Sequence, residues 1–218
     1  MKKDLLCKVI ENVKINDNIH KLTIQKPSPT KDIKAGQFFN LKCGEGDFLL
    51  LRRPISVSLV KEDNIVFYIN KVGKGTELLC QKNKGDYIDV LGPLGNGFDL
   101  NVQVNNMLVI GGGIGVAPLL ELTKQLSLKS EVEFDVMLGF KNELFMMDEF
   151  KEYTSNIIVT LENGSGENKG YVTDFLKKNI GYKKYDYIFT CGPKPMLKEV
   201  KKIAEENNIK TQLLMEER

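Results

Sequence analysis

The chain has 218 residues, of which 42% are hydrophobic and 28% charged, with a formal net charge of +2. That is the balance of a folded globular protein, long enough for two ordinary domains. So small a net charge excludes a strong field for nucleic acid or a membrane surface, and no apolar run is long enough to span a bilayer.

The start, residues 1–7, lacks the apolar core and small-residue cleavage site of a signal peptide, so a cytoplasmic protein is expected. Cys7, Cys43, Cys80 and Cys191 stand far apart and form no C-x-x-C pair. Reduced thiols are therefore expected, and no local metal or cluster site can be built from them. A single histidine, His20, excludes a multi-histidine metal site and reads as a structural or surface strand residue.

From residue 5 to about residue 100 the chain reads as short alternating strands: 5–15, 19–25, 37–43, 54–60, 65–72 and 87–91. Turn chemistry separates them at Pro27-Ser28-Pro29, Gly44-Glu45-Gly46-Asp47 and Glu62-Asp63-Asn64. Many short strands at this spacing predict a closed or nearly closed antiparallel barrel. A helix over 75–81 interrupts them.

Two stretches in this half carry chemistry. In Arg52-Arg53-Pro54-Ile55-Ser56 a cation, a rigid bend and a hydroxyl gather at a strand entry, which suits a phosphate and a ring heteroatom or, more blandly, a solvated arginine pair. Asn70-Lys71-Val72-Gly73-Lys74-Gly75-Thr76 is a glycine turn feeding a helix, offering N–H groups and a hydroxyl to an anion. Next, residues 91–98, Leu-Gly-Pro-Leu-Gly-Asn-Gly-Phe, read as a tight turn on a barrel rim or at a domain junction.

Beyond residue 102 the texture changes to apolar runs at 107–110, 134–138, 157–161, 187–190 and 211–214, interleaved with helix-period segments at 116–127, 143–152, 172–178 and 194–207. This alternation predicts a parallel sheet with helices on both faces and ligands at the carboxyl ends of its strands. The first run passes straight into Gly111-Gly112-Gly113-Ile114-Gly115-Val116-Ala117-Pro118, a strand-to-helix turn suited to a phosphate. It departs from G-x-G-x-x-G, because Pro118 stands where the third glycine would be. The fourth run ends at Cys191-Gly192-Pro193-Lys194-Pro195-Met196, where Cys191 suits either a thiol abutting a redox ring or a buried small hydrophobe. Lys141, after the second run, suits a solvated lysine or a contact to a ribose or adenine phosphate.

Taken in order, Arg53 to Ser56, Gly73 to Thr76, Gly92 to Gly95, Gly111 to Pro118 and Cys191 to Pro193 resemble the ferredoxin-NADP reductase superfamily across essentially the whole chain. Within it, the Arg-Arg-Pro-Ile-Ser stretch, the glycine-rich turn at 91–98 and the closing residues 212–218 are most similar to the electron-transfer subunits of bacterial NAD-dependent dihydroorotate dehydrogenases. That resemblance implies an FAD-binding barrel over 1–101 and an NAD-binding α/β domain over 102–218. Arg53, Pro54, Ile55, Ser56, Asn70, Lys71, Val72, Gly75 and Thr76 would hold FAD. Gly111, Gly112, Gly113, Gly115, Pro118, Gly192 and Pro193 would frame NAD(H), with Cys191 as a neighbour of the reacting rings.

It further implies an FMN-containing dihydroorotate dehydrogenase catalytic subunit as partner in a heterotetramer of pyrimidine biosynthesis. Dihydroorotate would be oxidised there and not on this chain, and no nucleic acid or membrane partner is expected. In the family the Glu-Glu-Arg ending leads into a cysteine-rich loop that ligates a 2Fe-2S cluster. This sequence stops at Arg218, before those ligands, as a shortened chain or a cluster-free relative would. Two other readings fit the residues: an NADPH-linked ferredoxin or sulfide-type flavin reductase subunit, and a flavin-free nucleotide-binding regulatory module.

Overall fold

The computed structural model describes residues 5–28, 30, 32–44 and 51–215. Most of the turn expected at 44–47, together with Pro29 and the closing residues 216–218, lies outside them. The chain divides into two compact units, Met1–Gly97 and Phe98–Arg218.

In the first unit six antiparallel strands of the described residues close a barrel in the order β1-β2-β5-β4-β3-β6. They are β1 (Leu5–Lys14), β2 (Ile19–Gln25), β3 (Phe38–Leu41), β4 (Arg53–Val60), β5 (Asn64–Asn70) and β6 (Tyr87–Leu94), and α1 (Lys74–Cys80) follows β5. Alternation dictates the inward set: on β1, Cys7 and Val9 are buried while Leu6 and Lys8 are exposed. Leu22, Ile24, Phe39, Leu41, Phe67 and Val90 fill the interior. Phe39 and Phe67 cross edge to face with centroids 6.0 Å apart, a contact worth about 1 kcal/mol beyond its burial.

The last barrel strand runs further than its sequence suggests. Instead of turning at residue 91, β6 continues through Gly92 and Pro93 to pair Leu94 with Phe38. Gly92 permits this because the ring of Phe39 occupies the space a Cβ would need. A proline is tolerated there, where the register shifts.

The second unit is a parallel sheet in the order β11-β10-β7-β8-β9. Its strands are β7 (Asn106–Gly112), β8 (Glu133–Phe140), β9 (Ile157–Leu161), β10 (Tyr187–Cys191) and β11 (Lys210–Leu214), with helices α2 (Ala117–Ser127), α3 (Met147–Lys151), α4 (Val172–Ile180) and α5 (Lys194–Glu206). Leu108, Ile110, Met137 and Ile188 pack under α4 and α5 through Val172, Leu176, Val200 and Ile203. Gly111, one residue on from Ile110 and so on the opposite face, lies against Leu119 of α2. Both faces of the sheet are thus covered by helices.

The helix expected over 143–152 is shorter than its periodicity suggests, because only Met147–Lys151 is α-helical. Met146 precedes it with φ 64 and is buried. Phe145 turns in to meet Phe140 at 5.0 Å between centroids. Phe145 and Met146 thus anchor a loop instead of continuing a helical stripe, while Leu144 stays exposed.

Candidate functional site

In the parallel sheet, β7 is followed on one side by β8 and β9 and on the other by β10 and β11. The chain therefore reverses direction across the sheet between β7 and β10, and the crevice outside the carboxyl ends of two such strands is where α/β sheets receive ligands. Register places Cys191, the last residue of β10, beside Gly111 of β7. The turns that leave these strands are the two that the sequence singles out.

After β7, Gly113–Val116 forms a 3-10 turn that runs into α2, with Pro118 in the first helical turn, where its missing N–H costs nothing. The first N–H groups of such a turn have no intrahelical acceptor and face the strand end. The glycines divide into two roles. A Cβ on Gly111 would stand 2.6 Å from Leu119, one on Gly112 2.5 Å from the Met196 sulfur, and one on Gly115 2.5 Å from the Gly192 Cα. Gly113 alone of this group has φ +55 and open space around the Cβ position. Three of the glycines serve close packing and one serves conformation and access.

After β10, Gly192 leads to Pro193 at the N-cap of α5. Cys191 is buried, 3% exposed, in the last pair of the sheet with Gly111 and Leu214. Lys141, just beyond β8, is exposed, and its carbonyl accepts from the Asn163 N–H at 2.9 Å.

In the barrel, β4 sits beside β3, with Leu41 opposite Arg53 and Phe38 opposite Ser56. The two adjacent arginines part company. Arg52 grips β6, donating from Nη1 to the Asp89 carbonyl at 2.9 Å and from Nη2 to the Asp89 carboxylate at 2.8 Å. Arg53 donates to the Leu51 carbonyl at 2.8 Å and lays its guanidinium across Gly75, whose Cβ would meet Nε at 2.8 Å and the Cys43 sulfur at 3.2 Å. Burial pushes the Cys43 thiol up, against the opposing pull of the Arg53 charge and of its backbone N–H.

Pro54, Lys71 and Val72 are exposed, Ser56 and Asn70 are half-buried, and Ile55 packs against the barrel core. Thr76 is bonded within its own turn. Its hydroxyl accepts from the N–H groups of Val72 at 3.0 Å and Gly73 at 3.1 Å and donates to the Gly73 carbonyl at 2.9 Å. The hydroxyl and those two N–H groups close the turn on itself, so Thr76 shapes the turn.

Sequence reading misses Asn12. Its Nδ2 donates to the carbonyls of Leu79, Cys80 and Lys82 at 3.0, 3.2 and 2.8 Å, fastening the carboxyl end of α1 to β1. No local pattern betrays a contact between residues 67 positions apart.

Residues 109–202 match the oxidoreductase NAD-binding domain model. Over 211 residues the chain is 36% identical to the dihydroorotate dehydrogenase B (NAD(+)) electron transfer subunit of Clostridium acetobutylicum, covering 97% of this chain and 81% of that one. The chain belongs to that family. The electron transfer subunit of Listeria innocua is 42% identical, with 97% and 82% covered, and that of Fusobacterium nucleatum 41%, with 88% and 76% covered. Among solved structures, one reported for flavin-based electron bifurcation by the NADH-dependent reduced ferredoxin-NADP oxidoreductase superposes with TM-score 0.85 at 32% identity, over 99% of this chain and 78% of that one. A ferredoxin NADP+ reductase from Neisseria gonorrhoeae with bound FAD and NADP shares the fold at TM-score 0.82 and 17% identity, with 99% and 100% covered. This chain thus carries the two-domain fold of the ferredoxin-NADP reductase superfamily, with a flavin-type barrel and an NAD-binding sheet.

Proposed function

We propose that this chain holds FAD on its barrel and NAD(H) at the β7–β10 junction, and passes electrons between them for a dihydroorotate-oxidising catalytic subunit. The observation that carries the reading is the contact of the two turns: Gly115 against the Gly192 backbone, with Gly113 at φ +55 beside open space. A dinucleotide pyrophosphate fits there, since N–H groups face it and no side chain stands in the way.

The barrel residues also fit a flavin nucleotide. Arg53 is aimed across Gly75, where a guanidinium can meet a phosphate bidentately, and Val72, 63% exposed, and Pro54 offer apolar surface for a ring. Thr76 keeps the 71–73 turn in shape, and the Cys43 sulfur lies against the same Gly75 position as the Arg53 guanidinium. Bound flavin and nicotinamide supply the electron exchange itself. The chain's residues bind and orient, and no acid or base of the chain is needed for that exchange.

The family's partner implies an FMN-bearing catalytic subunit in a heterotetramer, and cytoplasmic placement belongs to the same proposal, because Cys7, Cys43, Cys80 and Cys191 form no disulfide. Among the described residues no three His, Cys, Asp or Glu side chains come together, so nothing is routed through a 2Fe-2S cluster on them. Nor is any helix among them long and apolar enough to cross a membrane.

The test is the visible spectrum of the purified chain before and after anaerobic NADH. Flavin bands that bleach with NADH are expected, and a colourless chain that takes up no added FAD overturns the reading in favour of a flavin-free module. The 32% identity to a structure reported for ferredoxin-NADP oxidoreductase supports a second reading, an NADPH-linked reductase. Faster bleaching by NADPH than by NADH would establish it.

A further inference from the structure

We infer that Met196 is a positioning residue for nucleotide binding, setting the separation of the two glycine turns from beneath; this rests on the reading of the β7–β10 junction as the NAD(H) site. Met196 is the third residue of α5 and is half-buried against the core under that face of the sheet. Its side chain reaches both turns. The sulfur lies 2.5 Å from where a Cβ on Gly112 would stand, and the terminal methyl 2.6 Å and the sulfur 3.1 Å from where a Cβ on Gly192 would stand.

One side chain thus fills the volume that two glycines, at the end of β7 and just after β10, leave vacant. The Gly112 nitrogen lies 3.1 Å from that same Gly192 Cβ position, and the Gly192 backbone in turn seats Gly115. The stack runs from Met196 through Gly112 and Gly192 to Gly115, so the spacing of the turn backbones follows the width of the thioether. An unbranched, polarizable chain with three rotatable bonds suits so irregular a gap. Through that spacing, Met196 sets where the N–H groups of the turns point without touching the ligand.

The test uses the full chain and NADH itself, followed by NADH fluorescence on titration and by steady-state reduction of an artificial electron acceptor. Met196→Ala is expected to raise the NADH Kd and KM about tenfold, since small misplacements of binding groups are costly. The maximal rate should stay within about twofold, because uniform binding is what is lost. Flavin content should not change. Met196→Leu, which conserves volume, should stay within about threefold of the parent.

Gly112→Ala places its methyl where the Met196 sulfur sits and should raise KM on its own. The double variant G112A/M196A, in which the new methyl fills the space the thioether vacates, should recover much of the loss. Additive losses in the double variant, or a Met196→Ala protein with the parent's Kd, overturn the role of Met196. Should Met196→Ala not fold, Gly112→Ala and Met196→Leu decide alone: an unaltered KM in the first or a tenfold rise in the second overturns it. A parent chain that fails to bind NADH overturns the nucleotide site itself, and is thereby distinguished from failure of the Met196 role.

Discussion

Gly115 and Gly192 meet backbone to backbone: a Cβ on Gly115 would stand 2.5 Å from the Gly192 Cα and 2.6 Å from its nitrogen. Main-chain atoms cannot rotate aside, so Gly115→Ala must drive the two turns apart. We expect the KM for NADH to rise by about 100-fold, as for a misplacement of about 1 Å, with overpacking costing about 1–3 kcal/mol of stability. Steady-state kinetics and a thermal melt check both.

Gly113 presents the opposite case. Nothing lies within 4 Å of its Cβ position, yet its φ is +55, so a substitution there meets strain and not collision. Gly113→Ala should cost about 1–2 kcal/mol, and Gly113→Val more, because a β-branched residue is stiffer. The expected result is a raised KM for NADH in both, larger for valine, with flavin content unaltered. Equal KM values in parent and Gly113→Val would remove the turn from the nucleotide site.

The Arg53–Gly75 contact predicts a pair of matching phenotypes. Arg53→Ala removes a charge-assisted contact worth about 1.5–3 kcal/mol, so FAD should be lost on gel filtration, with affinity weakened roughly 10- to 100-fold. Arg53→Lys should not restore it, since a point charge does not replace a planar fork. Gly75→Ala, whose methyl would meet the guanidinium at 2.8 Å from Nε, should release flavin with the arginine still present. Full flavin occupancy in all three would show that β4 does not bind it.

Two thiols make stability fall in alkali. Burial foremost, with Asp89 adding, pushes Cys7 up from 9.0 to about 11. Burial likewise pushes Cys80 from 9.0 to about 11, against Lys71 and with Glu77. Below about pH 9 the folded and unfolded chains both keep these protons. From about 9 to 11 only the folded chain does, so its advantage shrinks as pH rises through the folded values. The melting temperature should drop across that window, and the drop should be shallower in Cys7→Ala. An identical slope in parent and Cys7→Ala would contradict this.

Much of the fold was legible because it rests on local pattern. Residues 19–25 and 157–161 read as strands and form β2 and β9 with the same bounds, and the apolar run into Gly111 announces a strand handing over to a helix. What stayed hidden depends on distant partners. The parting of Arg52 from Arg53 needs Asp89, the span of Asn12 to α1 joins residues 67 to 70 positions apart, and the seat that Met196 gives Gly112 and Gly192 unites the ends of two strands. The segment 143–152 misleads for a related reason: Phe145 and Met146 are apolar because a loop needs anchors, and periodicity alone cannot tell an anchor from a helical stripe.

The closure of the barrel through β1 and β6 bears on how the protein is made. β1 leaves the ribosome before the other strands of the barrel, yet the second of its two neighbours, residues 87–94, is among the last parts of that unit to be synthesised. Until then one edge of β1 is an open template, and a chain dominated by such distant pairings folds slowly. The opening strand, with Leu6 68% exposed, is therefore the place where a nascent chain is most prone to pair with a neighbour, and a chain interrupted before residue 87 would keep that edge for good.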